Sequence, residues 1–125
     1  MGFALGERAA GLDVYCLSGD LGAGKTVFAK GFARGLGITE NVTSATFTIM
    51  NEYAGRLKLY HFDAYRLNPG GLEDTGLFDA LGDGLGVCLI EWAETIRDEL
   101  PGNARWVYID KDLTKGGDYR LIRIE

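Results

Sequence analysis

The stretch Val14-Tyr15-Cys16-Leu17-Ser18-Gly19-Asp20-Leu21-Gly22-Ala23-Gly24-Lys25-Thr26 decides the fold. An apolar run stops at a glycine-rich loop, and a helix-permissive segment starts at the Gly-Lys-Thr that ends the loop. Gly19, Gly24, Lys25 and Thr26 fit the phosphate-loop pattern G-x-x-x-x-G-K-[ST]. Each position has a chemical reason. Glycines let the backbone curl, so that amides from Gly19 through Leu21, Gly22, Ala23 and Gly24 point inward at phosphate oxygens. The following helix adds the positive end of its dipole. Lys25 supplies a mobile charge to the outer phosphates, and Thr26 offers a hydroxyl to Mg²⁺.

On either side of this stretch the periodicity changes. Lys25 to Leu36 reads as a helix with Val27, Phe28, Phe32 and Leu36 spaced for a buried stripe and Gly37 placed to stop it. Upstream, Phe3 to Leu12 reads as a short helix ended by Gly11. Downstream, Ile38 to Thr46 is hydroxyl-rich loop. Phe47–Tyr53 and Leu57–Asp63 read as a hairpin around Ala54-Gly55-Arg56. Asn68-Pro69-Gly70-Gly71 is a turn, and Leu72 to Leu81 holds one or two helical turns with Leu72, Leu77, Phe78 and Leu81 inward. Gly86 to Glu91 is a second continuous apolar strand. Trp92 to Leu100 is a short helix stopped by Pro101-Gly102. Trp106 to Ile109 is a strand, and Tyr119 to Glu125 suits an edge strand.

Strands that alternate with helices and carry unbroken apolar runs predict an α/β fold. We expect three layers in the manner of phosphate-loop NTPases, with a mostly parallel central sheet and antiparallel hairpin or edge strands. Ligands in such sheets sit at the carboxyl ends of the strands. Leu17 is followed by the glycine-rich loop, Tyr60-His61-Phe62 by Asp63, and Leu89-Ile90 by Glu91. Two carboxylates and a phosphate loop are thus expected on one rim.

Phosphoryl transfer needs a metal bridging phosphate oxygens, a carboxylate to hold it and a group that positions the nucleophile. Asp63 and Glu91 are the candidates; the residues alone leave open which touches Mg²⁺ and which positions water. Thr43, Ser44, Thr46 and Thr48 form either a switch loop that closes on the γ-phosphate or a turn that hydrogen-bonds itself. Trp92 either stacks near the nucleotide or packs at the core rim. His61 reads as a core group rather than a base, for want of a partner carboxylate in a readable motif. Arg66, just past Asp63, either stabilises charge at the site or salt-bridges an exposed carboxylate, the latter being the favoured reading.

The chain of 125 residues, 46% hydrophobic, suits one domain with a real core and leaves no room for a substrate lid. A net charge of −5 disfavours direct contact with DNA or RNA. Cys16 and Cys88 lie in apolar runs without metal-ligand spacing, as expected of reduced thiols in a cytoplasmic protein. No run approaches the length of a membrane helix. There is no guanine-reading Asn-Lys-x-Asp, and the Asp79-Ala80-Leu81-Gly82 string falls in a helical segment, so ATP is the expected nucleotide.

Four strings in order, Gly19-Asp-Leu-Gly-Ala-Gly-Lys-Thr26, Val42-Thr-Ser-Ala-Thr-Phe-Thr48, Tyr60-His-Phe-Asp-Ala-Tyr-Arg-Leu67 and Cys88-Leu-Ile-Glu-Trp92, resemble the TsaE (YjeE) family over nearly the whole chain. The resemblance implies a small cytoplasmic bacterial ATPase needed for the threonylcarbamoyl modification of adenosine 37 in tRNA. It implies action on a TsaB–TsaD heterodimer, with tRNA met only through those partners. It further implies that Lys25 and the loop amides bind phosphate, that Thr26 and Glu91 ligate Mg²⁺, that Asp63 serves catalysis or metal organisation, and that Thr43 and Ser44 belong to the switch-like loop. The family's Ser-Pro-Thr is Ser44-Ala45-Thr46 here, and Ala93 replaces a frequent proline. The family's segment preceding the first helix, which helps cover the adenine, is expected to be missing. A nucleotide-dependent switch with little hydrolysis and a small-molecule kinase are the competing readings.

Overall fold

The computed structural model describes residues 2–18, 25–40, 50–63, 77–111 and 120–124. Its helices are α1 (Gly2–Arg8), α2 (Lys25–Gly35) and α3 (Leu77–Leu81). Its strands are β1 (Val14–Ser18), β2 (Met50–Tyr53), β3 (Lys58–Asp63), β4 (Gly86–Glu91), β5 (Arg105–Lys111) and β6 (Arg120–Ile124). A 3-10 segment covers Ala93–Glu99. The strands form one sheet in the order β2-β3-β4-β1-β5-β6. The four central strands run parallel; β2 and β6 are antiparallel edges. The expected α/β architecture with a mostly parallel sheet and a β2–β3 hairpin is what the chain adopts.

The unbroken apolar runs of β1 and β4 follow from burial on both faces. Alternation sends Tyr15, Leu17, Leu59, Leu89 and Val107 toward α1 and α2, where Phe28, Phe32 and Leu36 meet them. Val14, Cys16, Phe62, Cys88 and Ile90 enter a second cluster with Ala80, Ala93 and Ile96. On the first face Phe32 packs edge-on against Tyr15 with ring centroids 5.0 Å apart. On the second, Arg97 lies 4.1 Å over the ring of Trp106 and ties the 3-10 segment to β5.

Helix α2 departs from the expected stripe at one residue. Phe28, Phe32 and Leu36 are buried, but Val27 is 74% exposed. An i to i+1 step turns the helix by about 100°, so Val27 and Phe28 cannot both face the sheet. Gly37, at φ 80°, ends the helix as anticipated. Helix α1 ends at Arg8, before Gly11. Leu12, at φ 73°, is left-handed in the turn that leads to β1. Gly11 instead admits the backbone of Gly84, which a β-carbon would strike. Helices α1 and α2 touch through small residues: a β-carbon on Gly6 would collide with the carbonyl oxygen of Phe32, and one on Gly35 with that of Phe3.

Arg56, read from sequence only as part of a turn, has a structural role. Its guanidinium donates to the carbonyls of Gly6 (2.9 Å), Glu7 (3.1 Å) and Ala9 (3.1 Å). These acceptors lie at and just past the C-terminal end of α1, where helix carbonyls lack intrahelical partners and attract cations. Its amide also donates to the carbonyl of Leu36. The hairpin thereby clasps both helices.

The expected helix at Trp92–Leu100 is shorter and tighter: Trp92 lies outside it, and the 3-10 segment kinks at Ile96 (φ −127°, ψ 24°). Among the turns expected near Leu72–Leu81, α3 begins at Leu77. Ala80 is buried and Leu81 half-buried against the second cluster, while Leu72 lies outside the described residues.

Candidate functional site

Three parallel strands finish together on one edge of the sheet. Leu17 of β1 is the register partner of Glu91 in β4, and Glu91 is the register partner of Asp63 in β3. Buried Phe62 and Ile90 precede the two carboxylates, and the register puts Asp63 and Glu91 at the same level on β3 and β4. The chain leaves β1 at Ser18 and enters α2 at Lys25, so that Lys25 and Thr26 open the helix. Asp63 and Glu91 are side by side at the strand ends, next to the end of β1. Gly19, Leu21, Gly22, Ala23, Gly24, Thr43, Ser44 and Arg66 lie outside the described residues, as do the side chains of Lys25 and Thr26.

Alternation also fixes faces. Leu59, His61 and Asp63 share the α2 side of β3, and Leu89 and Glu91 the α2 side of β4. His61 thus sits beside Leu89 and above Leu59 of the first cluster, and Glu91 stands one step above Leu89 at the rim. His61 is 1% exposed and Glu91 6%. The His61 Nε2 lies 2.8 Å from Glu91 Oε2. With Leu89 opposite His61 in register, the bond crosses diagonally to the residue two further along β4. The expectation of a core histidine holds, but the expectation that it lacks a carboxylate does not. The spacing of His61 and Glu91 from their strand ends was the available signal; it needs the β3–β4 pairing to be read.

Trp92 follows Glu91 with φ 59° and ψ 34°. A bulky residue in the left-handed region is strained. Here the strain turns the chain out of β4 into the 3-10 segment directly beside the carboxylate. The indole packs half-buried against the second cluster.

The two thiols offer no chemistry. Burial pushes Cys16 and Cys88 up to about 12. Tyr60 donates to Asp83 at 2.6 Å, which raises the phenol to about 12 and lowers the carboxyl. This pair braces the opposite end of β3 and β4 from the rim. A cavity of about 530 Å³ is lined by Phe3, Lys30, Arg34 and Glu40 along the far part of α2, away from the strand ends. Among the described residues no helix is long and apolar enough to cross a membrane.

The profile of the family described as threonylcarbamoyl adenosine biosynthesis protein TsaE matches residues 1–119. The chain belongs to the TsaE family. The tRNA threonylcarbamoyladenosine biosynthesis protein TsaE of Bacillus subtilis is 59% identical over 111 residues, covering 88% of this chain and 67% of that protein. TsaE of Treponema pallidum is 53% identical over 92 residues, or 70% and 65% of the two chains. TsaE of a Nostoc species is 44% identical over 99 residues. The chain spans 60–67% of the length of these three relatives. The crystal structure of Bacillus subtilis YdiB superposes with a TM-score of 0.76 at 43% identity, covering 97% of this chain and 72% of that one. The fold rests on sequence and structure together, while the threonylcarbamoyladenosine description is that of the family and of these relatives.

Proposed function

We propose that this chain binds ATP with Mg²⁺ at the rim formed by β1, β3 and β4, and hydrolyses it in support of a TsaB–TsaD-type complex that modifies tRNA. One observation carries the reading: Asp63 and Glu91 are register partners at the ends of β3 and β4, and Glu91 is level with Leu17 near the end of β1, after which the Gly19–Thr26 stretch follows in sequence. Oxygen donors of this kind suit Mg²⁺, a hard cation that takes few protein ligands and keeps substrate phosphates and water. When bound, Mg²⁺ neutralises charge on the phosphate oxygens.

In this reading Thr26 and Glu91 hold the cation. Lys25 and the amides of the loop grip the phosphates, and the N-terminus of α2 adds its dipole. Asp63 would orient the attacking water. Thr43 and Ser44 close over the outer phosphate, and Trp92 walls the site beside Glu91. The acidic chain leaves tRNA to its partners, and the site belongs to a cytoplasmic protein.

Co-purification with a TsaB–TsaD pair, with and without ATP, tests the proposal. The reading requires ATP-dependent capture by the wild type and its loss in Lys25→Ala. Capture that ignores both ATP and Lys25 counts against it.

A further inference from the structure

We propose that His61 is a positioning residue for Glu91: its Nε2–H fixes Oε2 and leaves Oε1 as the oxygen presented to the cation. The inference rests on the reading of Glu91 as a Mg²⁺ ligand. Its own support is geometric. Both groups are buried, they meet at 2.8 Å, and they lie on the α2 face at the top of an apolar column. A carboxylate oxygen only accepts, so Nε2 is the donor. The other ring nitrogen, Nδ1, is buried with no hydrogen-bond partner. The imidazole is therefore held by packing and by one polar bond, and that bond is to Glu91. Leu59 below it and Leu89 beside it carry no polar groups. A buried imidazole that leaves Nδ1 unpaired is a poor way to fill a strand position, so its place here calls for the one bond it makes. A free glutamate samples several rotamers and offers either oxygen. A glutamate pinned through Oε2 arrives with its other oxygen already placed. Partners that orient ligands in this way raise metal affinity without touching the metal.

The test is titration of Mn²⁺, standing in for Mg²⁺, into the whole chain with a non-hydrolysable ATP analogue, followed by electron paramagnetic resonance. Wild type, His61→Leu, His61→Gln and Glu91→Gln are compared. The proposal predicts Mn²⁺ binding about 10–100-fold weaker in His61→Leu. It predicts recovery to within about threefold in His61→Gln, whose amide N–H reaches the Nε2 position. Where thermal melting shows His61→Leu unfolded, His61→Asn replaces it; its amide stops at the Nδ1 position and should bind as weakly. Unchanged Mn²⁺ affinity in these variants, or a His61→Gln no better than His61→Leu, overturns the proposal. Should Glu91→Gln weaken Mn²⁺ while the His61 variants do not, only the positioning role falls. Should Glu91→Gln leave Mn²⁺ affinity unchanged, the ligand assignment falls and the positioning role with it.

Discussion

Asp63 and Glu91 stand opposite each other as the last residues of two parallel strands, β3 and β4. Their apolar predecessors Phe62 and Ile90 are also register partners, buried on the other face. The core thus sets the height of both carboxylates, and the site inherits the rigidity of the sheet.

The pairing of Glu91 with His61 separates chemistry from folding. Glu91→Gln keeps an acceptor for His61 Nε2 and should melt close to wild type, while Mg²⁺-dependent ATP turnover falls about 100-fold or more. Glu91→Ala should lose the same turnover and also about 1–3 kcal/mol of stability, because His61 is left buried and unpaired. Urea denaturation beside a turnover assay separates the two. Equal stability of the two variants would contradict the bond as described.

Contact of α1 with α2 through glycine makes a second prediction. An exposed Gly→Ala change inside a helix gains about 1 kcal/mol. Gly6→Ala should instead lose about 1–3 kcal/mol, since its β-carbon meets the backbone of Phe32, which cannot rotate away. A raised urea midpoint would show that the helices are further apart.

Much of this was legible in the chain. The continuous runs Val14–Leu17 and Gly86–Ile90 required burial on two faces and so a parallel sheet, and the strand-end rule then picked out Asp63 and Glu91. What stayed hidden depends on register or on long-range contact. Glu91 is 30 residues from His61, and their bond exists only because β3 lies beside β4. Arg56 looked like turn polarity because its acceptors lie near residue 7. Val27 was misplaced because apolar character alone does not tell which side of a helix faces inward.

Arg56 gives the third prediction. Arg56→Met keeps much of the aliphatic stem and removes three donated hydrogen bonds to carbonyls at the end of α1. Loss of about 1–2 kcal/mol is expected, the residue being exposed. Amide exchange in Gly6–Ala9 should quicken more than exchange in β1. Uniform quickening across the sheet would argue against a local clasp.

The thiols carry a pH prediction. Burial raises Cys16 and Cys88 from 9.0 to about 12 in the folded chain. A raised folded value means that the contribution to stability is complete below pH 9 and is lost as pH climbs from 9 toward 12. The slope is about 1.4 kcal/mol per pH unit for each thiol within that window. A thiol-specific chromogenic reagent at pH 8 should find neither cysteine in the native chain and both in urea. Rapid native reaction at either position would refute the burial.

The most direct measurement is ATP hydrolysis by this chain alone and with a TsaB–TsaD pair. The account predicts slow turnover alone, a clear rise with the pair, and loss of both in Lys25→Ala and Glu91→Gln. Hydrolysis that stays absent with the pair, while nucleotide still governs assembly, would contradict it and leave a switch without a catalytic cycle.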